Sequence, residues 1–174
     1  MPLSEEQIDQ FLREGFLTVQ KVVPERYITD LQGEIERAID EQAKTLYLAE
    51  EITQLHENLG FLQRATELNK ESKKILGPVN GGNHSGQAMF SLLTCREILD
   101  IMEQLIGPEI LASSIYRIRP KLPDRPEGIV PWHQDSGYFH TCADHHLVPT
   151  CWVPLMNATI KAGCMEVLPR SHKR

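Results

Sequence analysis

The sequence has neither a long apolar run nor an excess of basic residues. None of its hydrophobic stretches is long enough to span a bilayer, and the amino terminus lacks the basic and apolar regions of a secretory signal. Its 174 residues carry a formal net charge of -6, which argues against a general nucleic-acid binder. We therefore expect a cytoplasmic protein that binds neither nucleic acid nor a membrane.

Cysteine is also scarce, and no two cysteines form a CxxC pair. The spacing therefore excludes a zinc knuckle and a dithiol redox motif. In a chain without a secretory signal, such thiols are expected to stay reduced and to have structural roles. The cysteines are Cys95, Cys142, Cys151 and Cys164.

The first part of the chain, residues 1–108, is predicted to be mainly helical. Ser4 and Gln7 form a capping-box pattern at the start of a first helix, and Gly15 is suited to end it. Apolar residues recur at helical spacing over residues 27–39 and predict a second helix. A third helix is predicted over residues 98–106 and a turn over 77–83, whereas residues 44–76 are compatible with either helix or loop.

From residue 110 onward the pattern is typical of β-strands separated by turns. Tyr116 and Ile118 alternate with Arg117 and Arg119, as expected for two faces of a strand. Helices first and strands later indicate an α+β fold, with helices packed outside a sheet or barrel. The predicted strands cover residues 16–19, 110–119, 129–135, 150–156 and 164–168, and residues 120–126 are predicted to be a loop.

A histidine and an aspartate lie two residues apart in one of these predicted strands. In a strand, His133 and Asp135 would point to the same side, because residues i and i+2 share a face. One imidazole and one carboxylate are two of the three donors in the facial triad of non-haem Fe(II) oxygenases. Gln134 would point to the opposite face and have a supporting role. Such triplets also arise by chance on surfaces, so the residues alone leave that alternative open.

Three sequence blocks together resemble the phytanoyl-CoA dioxygenase family. The first is WHQD at 132–135 with Tyr-Phe at 138–139, the second is CWVPLM at 151–156, and the third is GCMEVLPRSHK at 163–173. Their order and spacing match the family pattern, and an F-x-x-x-GF-x-x-V opening at 11–19 fits it too. Arg170 is a departure, since the family pattern has glycine at that position.

The resemblance implies a fold and an activity. The implied fold is a single domain over residues 1–174, in which N-terminal helices pack on a double-stranded β-helix, or jelly roll, whose strands begin at residue 109. The implied activity is that of an enzyme that uses Fe(II), 2-oxoglutarate and O2 to hydroxylate a small organic or acyl substrate, with release of succinate and CO2. Asp135 favours hydroxylation over halogenation, because related halogenases replace this carboxylate with a small residue.

Carried over by position, the resemblance also assigns site residues. His133 and Asp135 become the metal ligands and the catalytic centre, and Trp152 matches a tryptophan that lines the 2-oxoglutarate pocket. Arg117 falls on a position that faces the site in the family. Its basic segment, residues 117–125, is either a contact for the cosubstrate or an acidic substrate, or a solvated strand and loop.

The family pattern continues beyond the residues present here. Its second metal-binding histidine and its 2-oxoglutarate-binding arginine would follow residue 174, so we expect about the first half of the barrel strands and an exposed sheet edge that invites self-association. One alternative is therefore a truncated, catalytically incompetent form that acts as a binding or interaction module. Another is a site completed in trans by two chains, through His172 or a histidine of residues 140–146.

Overall fold

The chain forms two compact units in a computed structural model that describes residues 2–122 and 130–173, the side chains of residues 142 and 144 excepted. The first unit comprises residues 1–24, 94–112 and 130–174, and the second comprises residues 25–93 and 113–129. The expectation of a single domain over the whole chain stays a prediction.

Within the described residues, five α-helices form, all of them before residue 108. They are α1 (Glu5–Glu14), α2 (Glu25–Leu48), α3 (Phe61–Glu71), α4 (Gln87–Leu93) and α5 (Arg96–Ile106). The predicted helices are confirmed, and the region left open between helix and loop contains α3. The sequence analysis missed α4, because seven residues are too few to show a helical period.

The capping pattern of α1 is confirmed at both ends. The Ser4 hydroxyl accepts a hydrogen bond from the Gln7 N–H, and the Gln7 side chain accepts one from the Ser4 N–H, at 3.2 and 2.9 Å. At the other end Gly15 is left-handed, with φ +82, and its N–H donates to the Phe11 carbonyl. Glycine is favoured there, because L side chains rarely adopt a positive φ.

Helix α2 organises the core of the second unit. It packs against α3, α4 and the 3₁₀ turn Lys73–Leu76. Its buried side chains follow the predicted helical spacing, as expected for an amphipathic helix. They are Leu31, Ile35, Ile39, Ala43 and Leu46. Leu68 and Ile75 are fully buried in the elements that pack against it.

A carboxylate on α2 caps the start of α4. Glu34 accepts hydrogen bonds from the Ala88 N–H at 2.8 Å, the Met89 N–H at 3.4 Å and His84 Nε2 at 3.1 Å. Burial alone would raise the pKa of Glu34, but these hydrogen bonds outweigh it and hold the pKa below its ordinary value. A Cβ on Gly86 would overlap the same carboxylate, so the turn before α4 needs glycine.

The prediction of a jelly-roll barrel over residues 109–174 is wrong for the described part of the chain. There, strand-type pairing is limited to one bridge between Gly81 and Ile118, and none of the predicted strands forms. A strand exists only when a neighbouring strand shares its backbone hydrogen bonds. Residues 130–173 instead direct most of these bonds into short local turns. The 3₁₀ turns are Asp135–Tyr138, Thr141–His145, Ile160–Ala162 and Ser171–Lys173.

Other expectations from the sequence concern self-association, residues 123–129, membrane spans and the cysteines. The described residues form no sheet edge, so self-association stays a prediction without the surface from which it was argued. Residues 123–129, which include parts of the predicted loop, basic segment and motif strand, lie outside the described residues. Across the described ranges, no helix is both long and apolar enough to cross a bilayer. Cys95, Cys151 and Cys164 are free thiols, as predicted.

The burial of Leu68 predicts a large effect on stability. Leu68→Ala should lower the free energy of unfolding by about 2–5 kcal/mol, because it removes a fully buried side chain from the core. Leu62→Ala is the matched control, since Leu62 lies on the same helix with about half of its surface exposed, and it should change the free energy by less than about 1 kcal/mol. Urea denaturation followed by circular dichroism measures both, and equal effects would contradict this packing.

The cap formed by Glu34 predicts a pH-dependent contribution to stability. Because the pKa of Glu34 is lower in the folded chain, its stabilisation is fully present above the ordinary value of 4.5 and is lost as the pH falls through the folded value. Glu34→Gln should therefore destabilise the chain at pH 7 by about 1–2 kcal/mol, and the difference should shrink at acidic pH. Glu41→Gln, an exposed change on the same helix, should show neither effect in denaturation at several pH values.

Candidate metal site

The His-x-Asp motif lies in the first unit, on an extended segment that leads into the 3₁₀ turn Asp135–Tyr138. The strand predicted for it does not form, but Gln134 is extended, with φ -111 and ψ 131. An extended residue directs the side chains of its two neighbours to the same side. The local geometry that the motif requires therefore exists without a sheet.

The two side chains of the motif converge. His133 Nε2 lies 3.2 Å from Asp135 Oδ1, and His133 Nδ1 lies 2.7 Å from the Pro131 carbonyl oxygen. A carbonyl oxygen only accepts hydrogen bonds, so the hydrogen is assigned to Nδ1. In the neutral ring, Nε2 then presents its lone pair beside the carboxylate. Metal-binding histidines usually have this arrangement, in which the second ring nitrogen donates to a carbonyl or carboxylate.

The separation of His133 Nε2 and Asp135 Oδ1 fits a bound divalent cation better than a direct contact between a neutral imidazole and a carboxylate. Two acceptor atoms 3.2 Å apart repel each other unless a proton or a cation lies between them. Two ligands at right angles, each about 2.1 Å from a metal ion, are about 3.0 Å apart, which is close to the observed separation. Protonation of the imidazole would instead give an ordinary ion pair. The residues present therefore fit the imidazole and carboxylate positions of an Fe(II) site.

The aromatic residues around the motif leave it open to water. The Tyr138 ring meets the His133 ring edge-on, with centroids 5.5 Å apart, and restricts its rotation. Trp132, however, is 70% exposed, and the His133 and Asp135 side chains are 35% and 43% exposed. The pair is accessible from solvent along this segment.

Gln134 points away from the pair, as predicted for the opposite face. Its side-chain Nε2 donates to the Ser171 carbonyl oxygen at 2.7 Å. Sequence reasoning anticipated a supporting role for Gln134 but not its partner. The partner lies in the third of the resembling blocks, and only the structure shows that the two blocks touch.

Trp152 and Arg117 are the two other site residues predicted from the sequence. Trp152 belongs to the first unit and is 45% exposed. Arg117 belongs to the second unit, where its guanidinium occupies the space that a Cβ on Gly82 would need. The roles assigned to both residues stay predictions. Within the described part of the chain, no group of three His, Cys, Asp or Glu side chains converges on a metal position.

Three of the other histidines contact groups outside the motif. His172 Nε2 lies 3.2 Å from the Leu12 carbonyl oxygen, and His84 contacts Glu34. His56 Nε2 lies 3.1 Å from a Glu71 oxygen. His145 and His146 are exposed, as expected for solvated loop residues. Completion of the site in trans by His172 would require it to leave the Leu12 carbonyl.

Comparison with known proteins identifies the family. The family model described as Phytanoyl-CoA dioxygenase (PhyH) matches residues 11–174, and the motif that carries the histidine and carboxylate lies within that match. The chain belongs to the phytanoyl-CoA dioxygenase family. The resemblance seen in the sequence is thereby confirmed.

Curated relatives support the same assignment. Phytanoyl-CoA dioxygenase, peroxisomal, from Bos taurus is 28% identical and its counterpart from Homo sapiens is 27% identical, each across 98% of this chain and 48% of its own length. A phytanoyl-CoA dioxygenase domain-containing protein 1 homolog from Caenorhabditis briggsae is 24% identical across 94% of this chain and 63% of its own length. The chain thus spans about half the length of the mammalian relatives. No solved structure gives a significant match.

The exposure of the motif predicts how its tryptophan responds to a water-soluble quencher. The chain has two tryptophans, so Trp152→Phe leaves Trp132 as the fluorophore, and Trp132→Phe leaves Trp152. Iodide should quench the fluorescence of Trp132 more strongly than that of Trp152, because Trp132 is the more exposed. Weaker quenching of Trp132 would show that the motif is covered.

Proposed function

We propose that this chain supplies the first two metal ligands of an Fe(II)- and 2-oxoglutarate-dependent dioxygenase that hydroxylates a small organic or acyl substrate. The observation that carries the proposal is the convergence of His133 Nε2 and Asp135 Oδ1 at 3.2 Å. Family membership supports it, because the family is named for a dioxygenase. The activity, the cosubstrate and the substrate class remain parts of the proposal.

Each residue of the motif has a distinct part in it. The Pro131 carbonyl holds the hydrogen of His133 on Nδ1, which keeps the Nε2 lone pair available for a metal ion. The Asp135 carboxylate adds a negative charge that favours a divalent cation over water. The edge-on contact of Tyr138 limits the rotation of the imidazole ring. A preorganised donor pair of this kind loses little entropy when the metal binds.

Fe(II), when bound, would supply the redox chemistry that couples decarboxylation of 2-oxoglutarate to hydroxylation of the substrate. The chain's own contribution would be to bind the ion through one imidazole and one carboxylate and to leave the other positions open. We extend the proposal to Trp152 as a cosubstrate contact, and this extension rests on the family resemblance, while the cosubstrate role that the resemblance implies for Arg117 stays a prediction. The mammalian relatives are named phytanoyl-CoA dioxygenases, and an acyl thioester is accordingly one candidate substrate.

Metal titration tests the proposed ligands. His133→Ala and Asp135→Ala should each weaken binding of Fe(II), or of Co(II) as a spectroscopic stand-in, by at least about tenfold, since loss of an outer partner alone typically has an effect of that size. His146→Ala, which removes an exposed histidine outside the motif, is the matched control and should bind as the wild type does. Equal affinities in all four proteins would refute the ligand assignment.

The same proteins separate catalysis from simple binding. Fe(II)-dependent formation of succinate from 2-oxoglutarate, lost in His133→Ala, would support the dioxygenase. Metal binding that depends on His133 without any turnover would favour the alternative, in which the chain is a catalytically incompetent binding or interaction module. That alternative has its own physical basis, because two protein ligands bind iron less tightly than three.

A further inference from the structure

The end of the third family block, residues 170–172, caps the carboxyl end of α1. The last carbonyls of a helix have no partner inside the helix. Here the Arg170 N–H donates to the Glu14 carbonyl at 2.7 Å, and His172 Nε2 donates to the Leu12 carbonyl at 3.2 Å. Two otherwise unpaired carbonyls of the first helix are therefore satisfied by a segment near the other end of the sequence.

Gly15 makes room for this contact. A Cβ on Gly15 would overlap the imidazole ring of His172. The φ of +82 already favours glycine at this position, so the backbone conformation and the contact with His172 both disfavour a side chain there. Gly107, which ends α5 with φ +91, has open space where a Cβ would lie. The close approach to a histidine is therefore not a general property of the helix-ending glycines in this unit.

Arg170 adopts a conformation that suits the glycine of the family pattern. Its φ of +63 is left-handed, a conformation that is unfavourable for a residue with a Cβ. The Arg170 guanidinium lies 3.7 Å from the Glu14 carboxylate, and its N–H donates to the Glu14 carbonyl. Strained residues persist where their surroundings determine the conformation. The contact with α1 is thus specific enough to hold arginine in a glycine-like geometry.

Residues 170–172 also contact the His-x-Asp motif. The Ser171 carbonyl, between Arg170 and His172, accepts the hydrogen bond from Gln134 Nε2 at 2.7 Å. Gln134 in turn lies between His133 and Asp135 in the chain, and its extended backbone directs both of their side chains to one side. Hydrogen bonds therefore link the end of α1 to residues 170–172, and residues 170–172 to the Gln134 side chain within the motif.

We propose that Gly15, Gln134, Arg170, Ser171 and His172 form a latch that positions His133 and Asp135 for metal binding. The latch rests on the proposed function, because it assigns positioning residues to the same metal pair. His172 acts here as a donor to α1 and not as a third ligand. Outer partners that fix the orientation of metal ligands commonly change metal affinity by about 10- to 100-fold when removed.

The latch can be tested with and without metal. The variants are Gly15→Ala, Gln134→Leu and His172→Ala, with Gly107→Ala as the matched control, because it introduces the same side chain at a positive φ without touching a histidine. The metal-free readout is the set of nuclear Overhauser contacts between the His133 and Tyr138 rings in ¹H NMR spectra, with the His133 signals assigned by their loss in His133→Ala. The second readout is the Kd for Co(II).

In the wild type the His133 ring should show these contacts to the Tyr138 ring, because the two ring centroids lie 5.5 Å apart. The three latch variants should weaken these contacts and raise the Kd for Co(II) about tenfold, whereas Gly107→Ala should do neither. His172→Gln, whose amide can still donate to the Leu12 carbonyl, should restore part of the difference. A merely structural role for these residues would lower stability without weakening the contacts between the His133 and Tyr138 rings.

Unchanged contacts between the His133 and Tyr138 rings in folded latch variants would overturn the latch. If Gly15→Ala does not fold, the result for Gln134→Leu decides whether the latch is overturned. This change removes one exposed hydrogen bond and leaves the contact between residues 170–172 and α1 in place. If Co(II) binds the wild type without any dependence on His133, the proposed function fails, and the metal-free NMR result still supports or overturns the latch by itself.

Discussion

The structure of residues 130–173 depends on where their backbone hydrogen bonds go. Extended segments without a neighbouring strand must satisfy their N–H and C=O groups through local turns, side chains or water. In the described residues most of these bonds close short 3₁₀ turns. Longer-range anchoring comes from the Arg170 N–H on the Glu14 carbonyl and from Gln134 on the Ser171 carbonyl. The geometry of His133 and Asp135 is therefore set by a few hydrogen bonds instead of by a sheet.

The two units differ in what stabilises them. The second unit buries most of the apolar side chains, along α2 and the elements packed against it, and has the stability that such burial provides. The first unit buries Leu3, Cys95 and Ile101, while Trp132, Tyr138 and Leu168 are exposed. The arrangement of the His-x-Asp motif in this unit therefore depends on directional contacts such as those of His133 with Pro131 and Tyr138.

The motif and its surroundings were predictable to different degrees. The spacing of His133 and Asp135 was enough to predict their convergence, because any extended residue between them produces it. The supporting role of Gln134 was predicted for the same reason. Its partner Ser171 was not, and neither was the contact between His172 and α1, because both join segments far apart in the sequence. Arg170 carried a signal that could have been used, since a glycine position in the family pattern indicates a positive φ.

The sequence by itself determined where α1, α2 and α5 form and where α1 and α5 end. Ser4 and Gln7 cap α1, Gly15 and Gly107 end α1 and α5, and the apolar spacing of α2 defines its buried face, because all these signals act within a turn or two of one helix. The strands were predicted from alternation and did not form. Alternation reports which side chains share a face, whereas a sheet also requires a second strand to complete its hydrogen bonds. Only the tertiary structure could decide that pairing, and only it brought residues 170–172 onto α1 and beside the His-x-Asp motif.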